Sequence, residues 1–411
     1  MAAAIAACSG SEKTTGKAIP SNPYSAGDLD VDAIFRVFHV DRDSSRIFVR
    51  LNTRNLLYSR VGTEQFSARV QIKINPVVLT PGFALQPKAK TIQLTDTDDE
   101  KTPKDLLVST GIILPTGADY DLRIEIIDVF RKRSTTKSVV AFKSSPYHRQ
   151  NFIAARNDLR VPLFYDRVSG GERILLGTNA APEGKLYVRY YDRAFVLPPP
   201  PFVLYEPKAF DYTPDGRFTL ELDENNHTSF VTASRGFYHF VTDTTQNDGF
   251  TLFVSETEFP AVTTVQNMLE PFRFLVSSKE FKSVSEAPDV KQALEQMWLE
   301  WSGDRERARK SIKLFYSRVE DANIYFSSHV DGWRTDRGIV YLIYGKPNKV
   351  YRSLAAEVWI YGEENNPLSI TFTFVKVINP FTPNDYRLNR EEYYRPSWYR
   401  ALDAWRSGRI I

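Results

Sequence analysis

The sequence is short of the residues that most often carry chemistry. Among its 411 residues there is a single cysteine, Cys8, and there are five histidines. A body without cysteine uses no disulfide, no thiolate metal ligand and no cysteine nucleophile. His39, His148, His227, His239 and His329 are scattered and form no HxxxH, HxH or His/Asp cluster, so no metal site is expected. No GxSxG elbow is present. Gly345-Lys346 resembles the end of a phosphate loop, but the upstream glycine is missing and Pro347 stands where a Ser or Thr would hold magnesium. No cofactor is expected. Acidic pairs such as Glu363-Glu364 and Glu391-Glu392 are adjacent rather than convergent, as solvated charges are. Two carboxylates brought together only by folding would leave glycoside hydrolysis as a minority alternative. A net charge of +3, with no RNP-like or helix-turn-helix pattern, gives no footprint for nucleic acid. No apolar run approaches the roughly 20 residues a membrane helix needs.

Aromatic residues, in contrast, are plentiful, with 27 Phe and 21 Tyr among many Val, Ile and Thr, a composition that favours strands. From Asp32 to about Ser145, AIFRVFHV, SRIFVRLNTRNLLY, FSARVQIKINPVVL, KTIQL, DLLVSTGIIL, YDLRIEIIDVF and SVVAFK alternate partially in polarity. Turn signals such as Asn75-Pro76, Pro81-Gly82 and Pro115-Thr116-Gly117 separate them. Residues 31–146 are therefore expected to form an immunoglobulin-like β-sandwich, without the Cys pair and core Trp of antibody domains. Residues 147–280 read as a second β module, through VPLFYD, RILLG, KLYVRYYD, FVLYE, FTLEL, TSFV, FYHFVTD, FTLFVS and PFRFLVS. Within it Pro198 to Pro201 predict a polyproline II rod. It is either a ligand for a proline-recognition domain or a rigid edge connection between strands, and the apolar segments on both sides favour the connection.

Near Ser285 the period changes, opening an α+β domain over residues 281–411. Val290, Ala293, Leu294, Met297, Trp298 and Trp301 fall on one helical face. Ser302-Gly303-Asp304 supplies a break and a cap, and a second helix presents Ile312, Phe315, Tyr316, Val319, Ala322 and Phe326. The short connection makes the two an αα-hairpin, expected to pack on an antiparallel sheet of GIVYLIYG, EVWIYG and SITFTFVKV. The tail from Arg390 is rich in Arg and aromatics. Tyr393, Tyr394, Trp398 and Trp405 have the composition of an interface hot spot, or else they cover their own domain. Trp398, Leu402 and Trp405 predict a short terminal helix ending near Gly408.

The N-terminus carries an address. Ile5-Ala6-Ala7-Cys8 has the pattern of a bacterial lipobox, and a polar tether follows within residues 1–30. The charged region and most of the apolar region of a signal peptide are not ahead of it, so this start reads as truncated. A lipid on Cys8 would anchor the chain to the outer membrane. No acidic run follows Cys8, which favours the periplasmic face.

Between helix and tail stands Gly332-Trp333-Arg334-Thr335-Asp336-Arg337-Gly338. With Tyr316, Arg318, Val319, Ala322 and Asn323 before it, Gly345 and Pro347 after it, then Glu357, Trp359 and Tyr361 and the later NDYRL, it resembles the GWxTD domain family. The resemblance covers about residues 275–390. It implies an envelope protein of the kind found in Bacteroidota and Acidobacteriota, often with β-rich modules ahead of the domain, and it leaves the biochemical role open. Physically, Gly332 and Gly338 suit positive φ or close backbone approach. Trp333 is expected to plug the gap between hairpin and sheet, while Thr335 and Asp336 accept from loop N–H groups. Arg337 is expected to fork onto Glu357 or Asp336. A polar pocket for a peptide or sugar is the alternative for the same residues. The expected role is a non-enzymatic accessory subunit or adaptor of an envelope complex, such as outer-membrane protein assembly or secretion machinery. The alternative is a periplasmic carbohydrate-binding or carbohydrate-active protein.

Overall fold

Alternation of buried and exposed side chains builds the first unit. In the computed structural model, which describes residues 31–61, 65–97, 103–181, 183–206, 208, 210–255 and 259–409, eight strands fall between Ala33 and Phe142. Cys8 and its tether lie outside the described residues. The strands β1 (Ala33–His39), β2 (Ser44–Asn52) and β6 (Asp105–Ile113) form one sheet in the order β1-β2-β6. A second sheet runs β3 (Ser59–Val61), β4 (Gln65–Val78), β7 (Asp119–Asp128), β8 (Arg133–Phe142), with β5 (Lys90–Thr97) also pairing β4. Tyr120, Leu122, Ile124 and Ile126 of β7 are buried at every second position. They share one core with Ile72 and Ile74 of β4 and with Ile47, Val49 and Leu51 of β2, so the two sheets face each other. Each such side chain contributes roughly 1.5–3 kcal/mol by leaving water.

The second unit has its own core around Phe152, Ile174, Leu186, Phe240 and Leu252. Its strands are β9 (Phe152–Ala155), β10 (Arg167–Ser169), β11 (Arg173–Thr178), β12 (Lys185–Tyr191), β13 (Gly216–Glu221), β14 (His227–Val231), β15 (Gly236–Val241) and β16 (Phe250–Ser255). They make sheets in the orders β10-β16-β15-β12-β13 and β14-β11-β9. Only β10 departs from antiparallel pairing, lying parallel to β16. The expected strands VPLFYD and FVLYE are absent. Val161–Asp166 is an irregular connection, and the described residues between β12 and β13 are free of strand. Pro198–Pro201 lack ladder donors, and the segment is held by arginines of the next unit instead of by a sheet.

Six helices and a sheet make the third unit: α1 (Val265–Phe272), α2 (Ser278–Ser285), α3 (Val290–Ser302), α4 (Arg305–Phe326), α5 (Asp336–Tyr344) and α6 (Tyr394–Arg406). The sheet order is β17 (Lys349–Arg352), β18 (Ala356–Tyr361), β19 (Ile370–Lys376), β20 (Tyr386–Leu388). The α3–α4 hairpin is as the periodicity predicts, with Gly303 at φ +66° closing α3 and the Asp304 side chain capping α4. Two segments correct the sequence reading. PFRFLVS belongs to the end of α1 and the turn after it. GIVYLIYG is helix α5 instead of a strand. Arg337 to Ile343 are buried without interruption, and a helix apolar on every side shows no period to tell it from a buried strand.

Buried charge joins the units. Asp166, after the second unit's β9, binds Arg36 of β1 at 2.7 Å and also Arg149. Burial works to raise the Asp166 carboxyl, yet Arg149 and Arg36 hold it below its usual value. The next residue, Arg167, reaches the third unit, donating to the Ser328 carbonyl at 3.1 Å and pairing with Asp331. An aromatic cluster of Tyr191, Phe237, Phe253 and Phe381 closes that second junction.

Candidate functional site

Two glycines let the chain make its corner. A Cβ on Gly332 would sit 1.7 Å from the Ala322 carbonyl of α4, and one on Gly338 would sit 1.8 Å from the Gly332 carbonyl. Neither has positive φ, so of the two sequence expectations the close approach holds. The strained backbone is at Gly345, φ +78°, just beyond α5.

Thr335 caps α5, its hydroxyl accepting from Gly338 N at 3.1 Å and donating to the Gly332 carbonyl at 2.8 Å. The far end of α5 is closed from outside. Arg318 donates to the carbonyls of Leu342 and Ile343 at 3.0 and 3.2 Å, and Trp405 Nε1 donates to Ile343 O at 3.0 Å. A cation there suits the negative end of the helix dipole. Asp321 of α4 accepts from the Tyr341 hydroxyl at 3.0 Å, and Tyr361 donates to the Gly345 carbonyl at 2.8 Å. Pro347, in the turn after Gly345, is buried.

Arg337 pairs with Glu357, the first of its two expected partners, through one Nη1–Oε1 contact at 3.3 Å rather than a two-bond fork. It also donates to both oxygens of Asn384 and lies 4.0 Å from the Tyr386 ring. Trp333 is buried, but its neighbour is Phe274, after α1, at 6.2 Å. The gap between hairpin and sheet is filled by Trp359, packed between Phe326 of α4 and Phe374 of β19.

Asp336 faces the other way from its loop. It accepts from Leu388 N at 2.9 Å and pairs with Arg390. Burial pushes its carboxyl up, against Arg390 and the Leu388 N–H, which favour the charged form. Arg390 in turn donates to the carbonyls of Pro199 and Pro200, both at 2.8 Å. Arg334 donates to the Phe195 carbonyl at 2.7 Å. The proline rod is thus a strap laid on the third unit, with Phe202 seated in that unit's core under Arg395 and Tyr399. Beside the strap runs a cleft of about 740 Å³, walled by Leu197 and Pro198 on one side and by Leu275, Tyr399 and Leu402 on the other.

Residues 236–407 match the model of the GWxTD domain family. The C-terminal part of this chain is a GWxTD domain. The match begins inside β15, so it takes in the last two strands of the second unit as well as all six helices. No curated protein matches the chain by sequence. Among solved structures it is similar at 11% identity to red sea bream transglutaminase, with a TM-score of 0.20, covering 56% of this chain and 32% of that one. It is similar at 9% identity to Escherichia coli alpha-2-macroglobulin activated by porcine elastase, with a TM-score of 0.18, covering 74% and 36%. The chain spans about a third of the length of either, and neither likeness bears on its fold.

Three of the four tail aromatics expected to meet a partner, Tyr394, Trp398 and Trp405, are 2–5% exposed and belong to the GWxTD domain's core. Only Tyr393 stays outward, at 55%. The sequence reading missed Arg390 as the strap's clamp and Asn384 as Arg337's partner. Both had a signal, Asn384 within NDYRL and Arg390 just beyond it.

Proposed function

We propose that this chain is a non-enzymatic adaptor of the bacterial cell envelope, anchored to the outer membrane by a lipid on Cys8 and facing the periplasm. Two immunoglobulin-like modules space the GWxTD domain from the membrane and present it to the proteins of an assembly or secretion complex. The observation that carries this reading is the commitment of the motif's charged side chains to internal bonds: Asp336 to Leu388 and Arg390, Arg337 to Glu357 and Asn384. Such a cluster holds a surface in shape rather than turning over a substrate. The carbohydrate reading has less support, because all six tryptophans are buried or half-buried, and Trp398, which borders the cleft beside the strap, is only 2% exposed. Recovery in mild detergent from native membranes, with mass spectrometry of what co-purifies, tests the adaptor; a protein recovered alone counts against it. Labelling of the precursor with a fatty-acid analogue tests the anchor, which fails if label persists in Cys8→Ser.

A further inference from the structure

We propose that the groove formed by Arg334, Arg390 and the Phe202 seat is a docking site for a proline-rich extended segment of a partner protein, with the strap as its resident occupant. The proposal deepens the adaptor reading by naming the partner's chemistry. The strap is bound as a peptide ligand is bound. Three of its main-chain carbonyls, those of Phe195, Pro199 and Pro200, accept from two arginines, and one aromatic side chain enters an apolar seat. Proline suits these contacts, because carbonyls without paired N–H groups stay available and the rod is already extended. Recognition through carbonyls does not depend on the strap's particular side chains, so another rod ending in an aromatic residue satisfies the same donors.

The strap leaves much of the groove vacant. The strap's own Val196 and Leu204 are 76% and 72% exposed and add no cover. The cleft alongside keeps Tyr399 and Leu402 of the third unit as its uncovered wall, edged by Arg273 and Arg406. An incoming segment gains that surface in addition to the strap's own contacts. This matters because a tethered strap competes at an effective concentration on the order of millimolar. Asp336 is the positioning residue, since its pair with Arg390 sets the guanidinium toward the two proline carbonyls.

The test uses the full chain and a fluorescein-labelled peptide of residues 195–205, read by anisotropy. Phe202→Ala empties the seat while leaving the groove's own side chains in place. The peptide is expected to bind this variant about tenfold tighter than wild type, the change one hot-spot contact produces, and to lose binding when its own Phe is replaced by Ala. If Phe202→Ala does not fold, Pro199→Gly with Pro200→Gly loosens the strap from the strap side. Absence of binding to either folded variant overturns the proposal, as does binding indifferent to the peptide's Phe. Dimerisation of the loosened chain through exchanged straps, seen by light scattering, would assign the groove to a second copy and also overturn it. Partner recovery from membranes is read independently, so the adaptor reading survives or fails on its own.

Discussion

Asp336 and Arg390 meet with their side chains only 10% and 7% exposed, 54 residues apart in sequence. This pair lets one corner of the GWxTD domain hold two other pieces of chain. The carboxylate fixes β20 through Leu388 N, and the guanidinium fixes the proline strap.

Removing the carboxylate strands a buried cation. Asp336→Ala is expected to destabilise the chain by about 3–5 kcal/mol, the cost of breaking a buried pair from one side. The exposed Lys310–Glu306 pair on α4 gives the contrast, because Glu306→Ala should cost about 0.5 kcal/mol or less. Urea unfolding measures both. Hydrogen exchange should quicken at Leu388 and Val203 in Asp336→Ala. Near-equal midpoints for the two variants would remove Asp336 from the role assigned to it.

The glycines give a sharper contrast, since nothing is lost except space. Gly332→Ala and Gly338→Ala each drive a Cβ into backbone at under 2 Å, and main chain cannot turn aside as a flexible side chain does. Each is expected to cost at least the roughly 1–3 kcal/mol typical of overpacking. Gly111→Ala on β6 meets nothing within 4 Å and should stay within about 0.5 kcal/mol of wild type. A folded Gly332→Ala chain of unchanged midpoint would mean that α4 and the corner do not touch as described.

Acid sensitivity is expected from the first unit and its junction. Burial lowers His39 to about 4 and His148 to about 3, with Lys143 and Arg149 adding to the effect. His39 is oriented by hydrogen bonds with Ser45 Oγ and the Phe142 carbonyl, both at 2.9 Å. Burial with the nearby Lys143 charge keeps it neutral, although the Phe142 carbonyl favours the proton. In the unfolded chain a histidine titrates near 6.5. Between about pH 6.5 and pH 4 the unfolded chain therefore takes up protons that the folded chain refuses. Stability is full above pH 6.5 and falls as pH drops toward 4. His39→Gln should flatten the dependence of unfolding free energy on pH by up to roughly 1.4 kcal/mol per unit. An unchanged slope between pH 5 and 6.5 would show that His39 does not contribute.

Much of this was legible, and the failures have physical causes. Period 2 located most strands of the first unit, and period 3.6 located α3, α4 and α6, because each of these elements buries one face and wets the other. Helix α5 has no wet face, so its periodicity was silent, although Thr335 and Gly345 bracket it as caps. The α2 start was written as Ser277-Ser278-Lys279-Glu280, a capping box that the structure closes in both directions, and it was missed beside the apolar run before it. The strap was legible as a proline rod connecting two segments, but its seat was not. Its docking depends on Arg334 and Arg390, 139 and 191 residues from the Phe195 and Pro199 carbonyls they bind, and no local pattern records such a meeting.

The tail is the clearest case of composition pointing two ways. Arg with Trp and Tyr describes an interface and equally describes a domain closing its own core, and α6 does the second. Trp398 is 2% exposed in the domain's core, 6.2 Å from the Tyr344 ring, and Trp405 packs on Phe315 while capping α5. Trp398→Ala is therefore expected to cost about 3–5 kcal/mol and to lower the melting temperature regardless of any partner. Tyr393→Ala and Tyr399→Ala, at 55% and 52% exposure, should each cost about 1 kcal/mol or less. Of the two, Tyr399→Ala alone borders both the cleft and Phe202, so it should weaken strap-peptide binding while Tyr393→Ala leaves it intact. Equal loss of binding in both would move the site away from the strap and onto the exposed face of α6.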